Sequence, residues 1–403
     1  MMILKLGFRN IMRNKRRSIL TGLAVGLGLA AMILVNGFWK GMLANMIDSA
    51  VSNYVGHAQI HHRQFGESHE VQYSLDPSSE LFQKLKQNTQ IEVISKRVIA
   101  LAMVSSSQES LNAIALGIIP AEEKEISLFD DRILEGHYPE NENDLMIGVQ
   151  LQKKLSVQLG DRIVITVSEA NTGELNQELF RVSGIFGTGV KDMDEGMILV
   201  HQRKLQQMLS ISGVHEVVVM FSDLKTAELN APFINSLSTK DIKAENWQEL
   251  VPQVVGIAKV TDFSMGIMGI ILFILVGQVI LNTLFMSLFE RSYEFGVLRA
   301  IGTKNRELYL MICSEALALS CLSIILGMII ALIVGGYWSV LGVDYSGVQF
   351  GEVTFTEKIF FKFSLEQFTL YPTSLVLFTV LVSLYPAWKI VRIKAAEALH
   401  RSL

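Results

Sequence analysis

The chain has 403 residues, of which 50% are apolar and only 18% charged, and its formal net charge is −4 at pH 7. Soluble domains carry about 25% charged residues, so the composition excludes a uniformly soluble globular protein, and the apolar content excludes a disordered one. The two cysteines are too few for a disulfide scaffold or a multi-cysteine zinc module.

Four stretches without a charged residue are long enough to cross a bilayer, which takes about 20 residues of helix. They are Ser18–Trp39, Phe263–Phe289, Ala316–Val343 and Gln367–Trp388. The first lacks a small-x-small cleavage site at its end, so we interpret it as an uncleaved anchor. We predict transmembrane helices at residues 18–39, 259–289, 308–336 and 367–388.

The basic residues indicate the orientation, because Lys and Arg are enriched in cytoplasmic segments next to membrane spans. The N-terminal segment 1–17, the loop 290–307 and the tail 389–403 together hold 14 basic and 4 acidic residues. These three segments are therefore predicted to be cytoplasmic. The large segment 40–258 and the short loop 337–366 are predicted to lie on the outer side.

The outer segment 40–258 has the patterning of a mixed α/β domain. Two strands joined by a turn are predicted at 162–170 and 175–186, a further strand at 216–221, and a strand running into a helix at 144–157. Residues 224–237 have helical spacing that Pro232 weakens. The domain lacks cysteine, so its stability must come from its own apolar core.

Helical spacing of apolar residues continues outward from both membrane spans that flank this domain. After the first span it includes Leu43, Ile47 and Val51, and before the second it runs from Trp247 to Ala258. We interpret these segments as amphipathic stalks. Their apolar faces either pack on the outer domain or carry motion between the membrane and that domain.

Small residues recur at a spacing of four in two spans and indicate close helix packing, within one chain or between two chains. They are Gly22, Gly26, Gly327, Ala331 and Gly335. Polar residues also occur inside spans, namely Gln278, Asn282 and Glu315. Glu315 lies close enough to the inner surface to snorkel or to pair there, and a structural role is favoured for it.

The cytoplasmic loop from Glu290 to Thr303 is predicted to form a short helix with Phe295, Leu298 and Ile301 on one apolar face. Such a helix can lie on the membrane surface or insert into a groove of a cytosolic partner. Spacing alone favours the membrane surface.

The same loop resembles the cytoplasmic signature of the FtsX/MacB/LolCE superfamily of ABC permeases. Other segments resemble that family in the same order: the basic entry Leu6–Thr21, the outer-domain landmarks Glu135-Gly136, Ile147-Gly148, Leu159–Asp161 and Val182–Phe186, and the tail Tyr385–Leu399. Ala396 stands where many members carry proline. The resemblance covers nearly the whole chain.

The resemblance implies a fold with four transmembrane helices and a large α/β, MacB-like periplasmic core domain between helices 1 and 2. It implies a bacterial inner-membrane permease, not itself an enzyme, that pairs with a second copy or a related permease. Two copies of a cytoplasmic ABC ATPase would use ATP and Mg and dock on the 290–307 loop. The coupling residues it implies are Glu290, Arg291, Glu294, Gly296, Arg299 and Gly302.

No Gly-Lys dipeptide occurs in the sequence, so the chain lacks the phosphate-cradling motif of P-loop ATPases. We therefore expect the ATPase to be a separate polypeptide and no cofactor to be bound directly by this chain.

Within the superfamily, the segments Asn36–Met42, Gly56–His61 and Phe186–Glu195 most resemble the lipoprotein-releasing LolC/LolE branch. That branch extracts lipoproteins from the inner membrane and passes them to a periplasmic carrier. Extraction of acyl chains needs an apolar receiving site, since each methylene is worth about 0.8 kcal/mol. In a dimer, the acyl chains are expected between spans one and two of opposing protomers. The residues expected to line that cavity near the outer surface are Met42, Leu43, Met46, Ile47, Val254, Ile257 and Met265.

Two alternative functions remain open: a MacB-type mechanotransmission permease for efflux of peptides, toxins or drugs, and an FtsX-like transmembrane regulator of a cell-wall hydrolase. The histidines His57, His61, His62 and His69 match no metal-binding spacing, so no metal site is predicted. The basic residues flank the membrane, which leaves no basic patch for nucleic acid.

Overall fold

The computed structural model describes residues 15–345, 349–350, 353–354 and 358–392. The predicted cytoplasmic segments before Lys15 and after Arg392 lie outside the described residues, as do parts of the predicted loop 337–366. The chain divides into two compact units. One comprises the long apolar helices, and the other comprises residues 44–256 together with 345–358.

Four helices are long and apolar enough to cross a membrane: α1 (Lys15–Ala50), α10 (Pro252–Glu290), α12 (Asn305–Leu341) and α13 (Leu365–Arg392). Each contains one of the predicted spans. Between α10 and α12 lies the short helix α11 (Ser292–Ala300). The core of this unit is formed by apolar side chains of all four long helices, among them Ile33, Ile280, Ala316 and Leu375.

The second unit contains a ten-stranded mixed sheet. Its strands are β1 (Ala58–His62), β2 (Ile91–Ser105), β3 (Ser110–Ile118), β4 (Ile133–Gly136), β5 (Asp144–Gly148), β6 (Arg162–Ser168), β7 (Leu175–Phe186), β8 (Met197–His201), β9 (Glu216–Phe221) and β10 (Ile242–Asn246). The order is β10-β1-β9-β2-β3-β8-β5-β7-β4, and β6 pairs with both β2 and β7. The pairs β3–β8 and β5–β7 are parallel. A two-stranded ribbon joins β11 (Gln349–Phe350) and β12 (Val353–Thr354).

Shorter helices surround this sheet: α2 (Arg63–Ser68), α3 (Glu80–Gln87), α4 (Pro120–Glu123), α5 (Val149–Leu155), α6 (Lys191–Gly196), α7 (Gln202–Leu209), α8 (Leu224–Ser236) and α9 (Trp247–Leu250). The apolar faces of α3 and α7 join the buried face of the sheet in one core. Helix α8 continues through Pro232, because Asp223 caps its first turn and Ala227, Asn230 and Ile234 are buried along one face.

The predicted hairpin of β6 and β7, the strand β9 and the β5–α5 unit are all present. The predicted stalk before the second span is wrong at its start. Residues Trp247–Leu250 form a separate helix, and α10 begins only at Pro252. Val251 has φ −122° and ψ 62°, outside the helical region, because a residue that precedes proline is sterically disfavoured there.

Candidate functional site

The loop helix α11 is held between α10 and α12 by two non-helical residues. Arg291 precedes it with φ −109° and ψ 14°. Gly302 follows with φ +97°, a left-handed conformation that glycine adopts without strain, so the chain turns there toward α12. The amide of Thr303 donates to the carbonyl of Leu298 at 3.0 Å and closes the end of the helix.

One face of α11 belongs to an apolar core at this end of the membrane unit. Phe295 is buried among Leu288, Leu308, Ile312 and Ile390, and Leu298 packs against the same cluster. The prediction that Ile301 shares this face is wrong, because Ile301 lies beyond the last helical residue and is 77% exposed. At 100° per residue, a position six residues after Phe295 also points about 120° away from it.

The opposite face of α11 carries exposed apolar side chains. Tyr293 is 51%, Val297 38% and Ile301 77% exposed. Their spacing of four residues places Tyr293 and Val297 on one side of the helix, and Ile301 follows directly at the helix C-terminus. We call these three residues the loop stripe. It is an apolar surface on a helix whose other side is fixed in the core, which is the arrangement that a helix-in-groove contact requires.

An ion-pair network fixes the start of α11. The Arg291 guanidinium donates to Glu294 at 2.9 Å through Nε and to Glu315 on α12 at 3.2 Å through Nη1. The second oxygen of Glu315 accepts a hydrogen bond from Ser287 on α10 at 2.9 Å. The side chains of Arg291 and Glu315 are both largely buried, so the predicted pairing role of Glu315 is confirmed. The network connects the loop helix to both membrane helices beside it.

The structure places the other expected coupling residues around this network. Glu290 is exposed and pairs with Arg17 of α1 at 3.2 Å. Gly296 is a buried residue of the loop helix itself, Arg299 is half-buried, and Gly302 is exposed with open space around it. The polar contacts therefore extend from the loop to α1, α10 and α12.

Helices α1 and α12 cross in direct backbone contact at the small residues. A Cβ on Gly26 would lie 2.8 Å from the Ser323 carbonyl oxygen, and one on Gly327 would lie 2.6 Å from the Gly26 carbonyl oxygen. Gly22 faces Leu322, Ala331 is fully buried, and Gly335 faces Phe363 and Leu34. These residues pack helices within one chain.

The residues expected to line a cargo cavity have different environments. Met42, Met46 and Val254 are buried, whereas Leu43, Ile47 and Ile257 are half-buried. Met265 lines a groove of about 520 Å³ at the end of the membrane unit where α1 and α10 lead into the sheet-containing unit. We call this the outer groove. It is lined by Met32, Asn36, Lys40, Asp262, Met265, Gly266, Gly269, Ile270, Phe273, Glu366, Gln367 and Tyr371.

A buried charge cluster in the second unit was not predicted from the sequence. Arg97 on β2 is fully buried and pairs with Glu123 of α4 through two hydrogen bonds and with Glu216 of β9 at 2.9 Å. It also donates to the carbonyl oxygen of Tyr54, in the π-helical turn Val51–Val55 that follows α1. Burial would raise the pKa of Glu123, but the Arg97 charge outweighs it and holds the pKa below its usual value. The cluster fixes this turn to two strands.

The histidines of the second unit have structural partners. His57 accepts a hydrogen bond from the amide of Phe221 at 3.0 Å, and His61 lies 2.9 Å from Glu245. His215 accepts from the amide of Ile99 and contacts the Val71 carbonyl oxygen, both at 2.9 Å. Burial lowers the pKa of both His57 and His215. Within the described ranges, no group of three or more His, Cys, Asp or Glu side chains is placed to hold a metal ion.

Two family models match this chain. The MacB-like periplasmic core domain matches residues 18–231, which is more than half of the chain, and the FtsX-like permease C-terminal region matches residues 266–395. The first match covers the sheet-containing unit up to α8 together with most of α1. The second covers most of α10, the loop helix and the last two membrane helices.

Several named proteins are similar. The lipoprotein-releasing system transmembrane protein LolC of Xylella fastidiosa is 22% identical over 317 residues, covering 72% of this chain and 73% of the relative. The macrolide export ATP-binding/permease protein MacB of Campylobacter jejuni is 20% identical over 359 residues, covering 85% of this chain and 54% of the relative. The solved periplasmic region of MacB from Actinobacillus actinomycetemcomitans is 13% identical, with a TM-score of 0.35, covering 52% of this chain and 95% of that structure.

Proposed function

Because this chain belongs to the bacterial ABC-transporter permeases that combine a MacB-like periplasmic core domain with an FtsX-like permease region, we propose that it releases lipoproteins from the inner membrane. In this proposal a separate cytoplasmic ATPase, with ATP and Mg, drives the work. The chain pairs with a second permease, identical or related, and hands its cargo to a periplasmic carrier. Both termini and the α11 loop lie in the cytoplasm.

Coupling to an ATPase is supported by the difference between the two faces of α11, one buried and one exposed. Its inner face is buried in the membrane unit, while the loop stripe Tyr293, Val297 and Ile301 stays exposed. Apolar side chains exposed at helical spacing suit insertion into a groove of a soluble partner. Because α11 is fixed on its inner side, a force applied at the stripe is passed to the membrane helices.

Two connections provide the path for that force. The Arg291–Glu315 pair links the start of α11 to α12, and the Glu290–Arg17 pair links the end of α10 to α1. At Gly26 and Gly327 the backbones of α1 and α12 are in direct contact, so a displacement of one helix toward the other is transmitted without an intervening side chain. In the proposed mechanism, closure of the ATPase displaces α11, and α1, α10 and α12 move with it.

The lipoprotein part of the proposal is supported by the similarity to LolC, which extends over 72% of this chain. Residues Met42, Leu43, Met46, Ile47, Val254, Ile257 and Met265 are proposed to contribute an apolar site for acyl chains between two permeases. Methionine suits this task, because its flexible, polarisable side chain adapts to apolar ligands of different shape. Acyl chains gain about 0.8 kcal/mol per buried methylene, so such a site offsets most of the cost of leaving the bilayer.

Reconstitution tests this function directly. The permease pair and its ATPase are placed in proteoliposomes with a triacylated lipoprotein, and a soluble carrier is added outside. We expect transfer of lipoprotein to the carrier with ATP and none with an ATPase that binds but does not hydrolyse ATP. Equal transfer with the hydrolysis-deficient ATPase contradicts the proposal.

A second candidate function is export of a soluble substrate from the periplasm, and the similarity to a macrolide export protein favours it. The two functions differ in the cargo that crosslinks to the permease. A photoreactive residue at Leu43, which is half-buried and not enclosed by the chain's own core, is expected to trap a lipoprotein under the first proposal. Under the second it would trap no lipoprotein, and ATP-dependent resistance to a macrolide would be lost on deletion of the gene.

A further inference from the structure

The outer groove changes from apolar to polar in the same direction on all three helices that form it. On α1 the lining residues run from Met32 through Asn36 to Lys40. On α10 they run from Phe273 to Asp262, and on α13 they end at Glu366. The polar residues lie toward the periplasmic ends of these helices, with Lys40 and Asp262 each about ten residues inside the end of its helix. A groove with this gradient matches an amphiphile that keeps its chain in the bilayer and its headgroup at the surface.

Two glycines of α10 create the space. A Cβ on Gly266 would meet no atom within 4 Å, so this position opens directly into the groove. A Cβ on Gly269 would lie 2.9 Å from the terminal methyl group of Met32, so larger residues there would displace the wall. A second, small cavity lined by residues such as Gly28 and Leu375 lies between the same helices and shares Met32 and Phe273 with the groove.

The length of the groove corresponds to one leaflet. Asp262 and Phe273 are about eleven residues apart on one helix, or roughly 16 Å at 1.5 Å per residue. Half of the hydrocarbon core of a bilayer is about 15 Å thick. An acyl chain that lies along Met265, Ile270 and Phe273 therefore brings its headgroup to the level of Asp262.

The rim of the groove carries charges of both signs. The Lys40 ammonium group donates to Ser364 at 3.0 Å and lies 3.4 Å from the Glu366 carboxylate. Among the described residues, no hydrogen bond or ion pair engages the Asp262 carboxylate. One cation beside two carboxylates can satisfy a ligand that presents both a phosphate and a hydrogen-bonding ammonium group.

We propose that the outer groove binds an outer-leaflet phospholipid of the phosphoethanolamine type. Lys40 contacts its phosphate, Asp262 and Glu366 accept hydrogen bonds from its primary ammonium group, and one acyl chain occupies the wall beside Gly266. Phosphatidylcholine fits less well because its quaternary ammonium cannot donate hydrogen bonds. Phosphatidylglycerol fits least, since it has no cation for the carboxylates. The site is formed by one chain. It shares Met265 with the proposed cargo site, but its headgroup contacts do not depend on which cargo the permease moves.

Native mass spectrometry of the full-length protein tests the proposal. The protein is mixed with equal amounts of phosphatidylethanolamine, phosphatidylcholine and phosphatidylglycerol, and the bound lipids are counted. We expect phosphatidylethanolamine to predominate and its bound fraction to fall at least fivefold in Gly266→Leu, which fills the groove. Gly336→Leu is the matched control, because Gly336 is a membrane-helix glycine with open space around it outside the groove.

A second variant tests the headgroup contact without altering the packing. Asp262→Lys changes an exposed side chain and reverses the charge balance of the rim, so we expect the preference to shift from phosphatidylethanolamine to phosphatidylglycerol. Equal binding of the three lipids to the unaltered protein would overturn the proposal. So would an unchanged lipid preference in Asp262→Lys, or equal losses in Gly266→Leu and Gly336→Leu.

Discussion

Replacement of Ile301 by serine is expected to weaken ATPase binding without disturbing the permease. Ile301 is 77% exposed and lies at the end of the loop stripe, so its side chain is available to a partner and contributes little to the core. Full burial of an isoleucine is worth about 1.5–3 kcal/mol. If docking covers the exposed part of this side chain, removing the side chain weakens the binding free energy by about 2 kcal/mol. This corresponds to a dissociation constant roughly 30-fold higher.

The assay is a titration of the labelled ATPase against the purified permease in nanodiscs. Val340→Ser is the matched control, since Val340 is 80% exposed at the opposite end of α12. We expect the control to bind the ATPase as the unaltered protein does, and both variants to melt at its temperature. An unchanged affinity for Ile301→Ser, or an equal loss in both variants, would refute the assignment of the loop stripe as the docking surface.

Three further predictions concern stability. Arg97→Met leaves the buried carboxylates of Glu123 and Glu216 without their partner and is expected to cost about 3–5 kcal/mol of unfolding free energy. Lys96→Met, in a partly exposed pair on the same strand, is expected to cost at most about 1 kcal/mol. Denaturant unfolding of the two variants checks this, and similar losses would count against it. Gly26→Val forces a side chain against the backbone of α12 and should lower the free energy of unfolding by about 1–3 kcal/mol. We expect a lower melting temperature, which the control Gly336→Val does not share. Equal melting temperatures of the two variants would show that the helices do not cross tightly at Gly26. Burial lowers the pKa of His215, so the unfolded chain takes up protons more readily below about pH 6.5, and stability should fall as the pH drops through that value. Unfolding at pH 7.5 and 5.5 measures this fall, which should be smaller in His215→Gln; an identical pH dependence of the two proteins would contradict the assignment.

The membrane spans and several strands could be predicted because their signals are local. An uninterrupted apolar run is enough to identify α1 or α12, and the turn between β6 and β7 follows from a short polar segment containing Gly173. The spacing of Gly22 and Gly26 also indicates close packing. This spacing does not identify the partner helix, because a small residue at the same depth in the membrane on any other helix would allow the same close packing.

Contacts between distant segments could not be predicted in this way. Arg97 looks like an ordinary strand residue beside Lys96, but its partners Glu123 and Glu216 are contributed by another helix and another strand. The outer groove likewise depends on three helices. In the sequence, each of its charged residues has only the pattern of a polar residue near the end of a membrane span. These residues are Lys40, Asp262 and Glu366.

The loop helix shows how a periodic pattern can identify an element and still misassign a face. Phe295, Leu298 and Ile301 lie three residues apart, a spacing that drifts around a helix by about 60° at each step. The first two are fixed in the core, and the exposed stripe instead follows the spacing of four from Tyr293. The helix was predictable, whereas its inward side is determined by α12 and α13.

In the proposed mechanism, the exposed face of α11 contacts an ATP-hydrolysing subunit. Photocrosslinking in intact membranes measures this contact most directly, with the photoreactive residue placed at Val297 in one variant and at Val340 in another. We expect a crosslink from position 297 to the ATPase and none from position 340. A crosslink from position 340, or the absence of any ATPase crosslink from position 297 in an assembled complex, would contradict it.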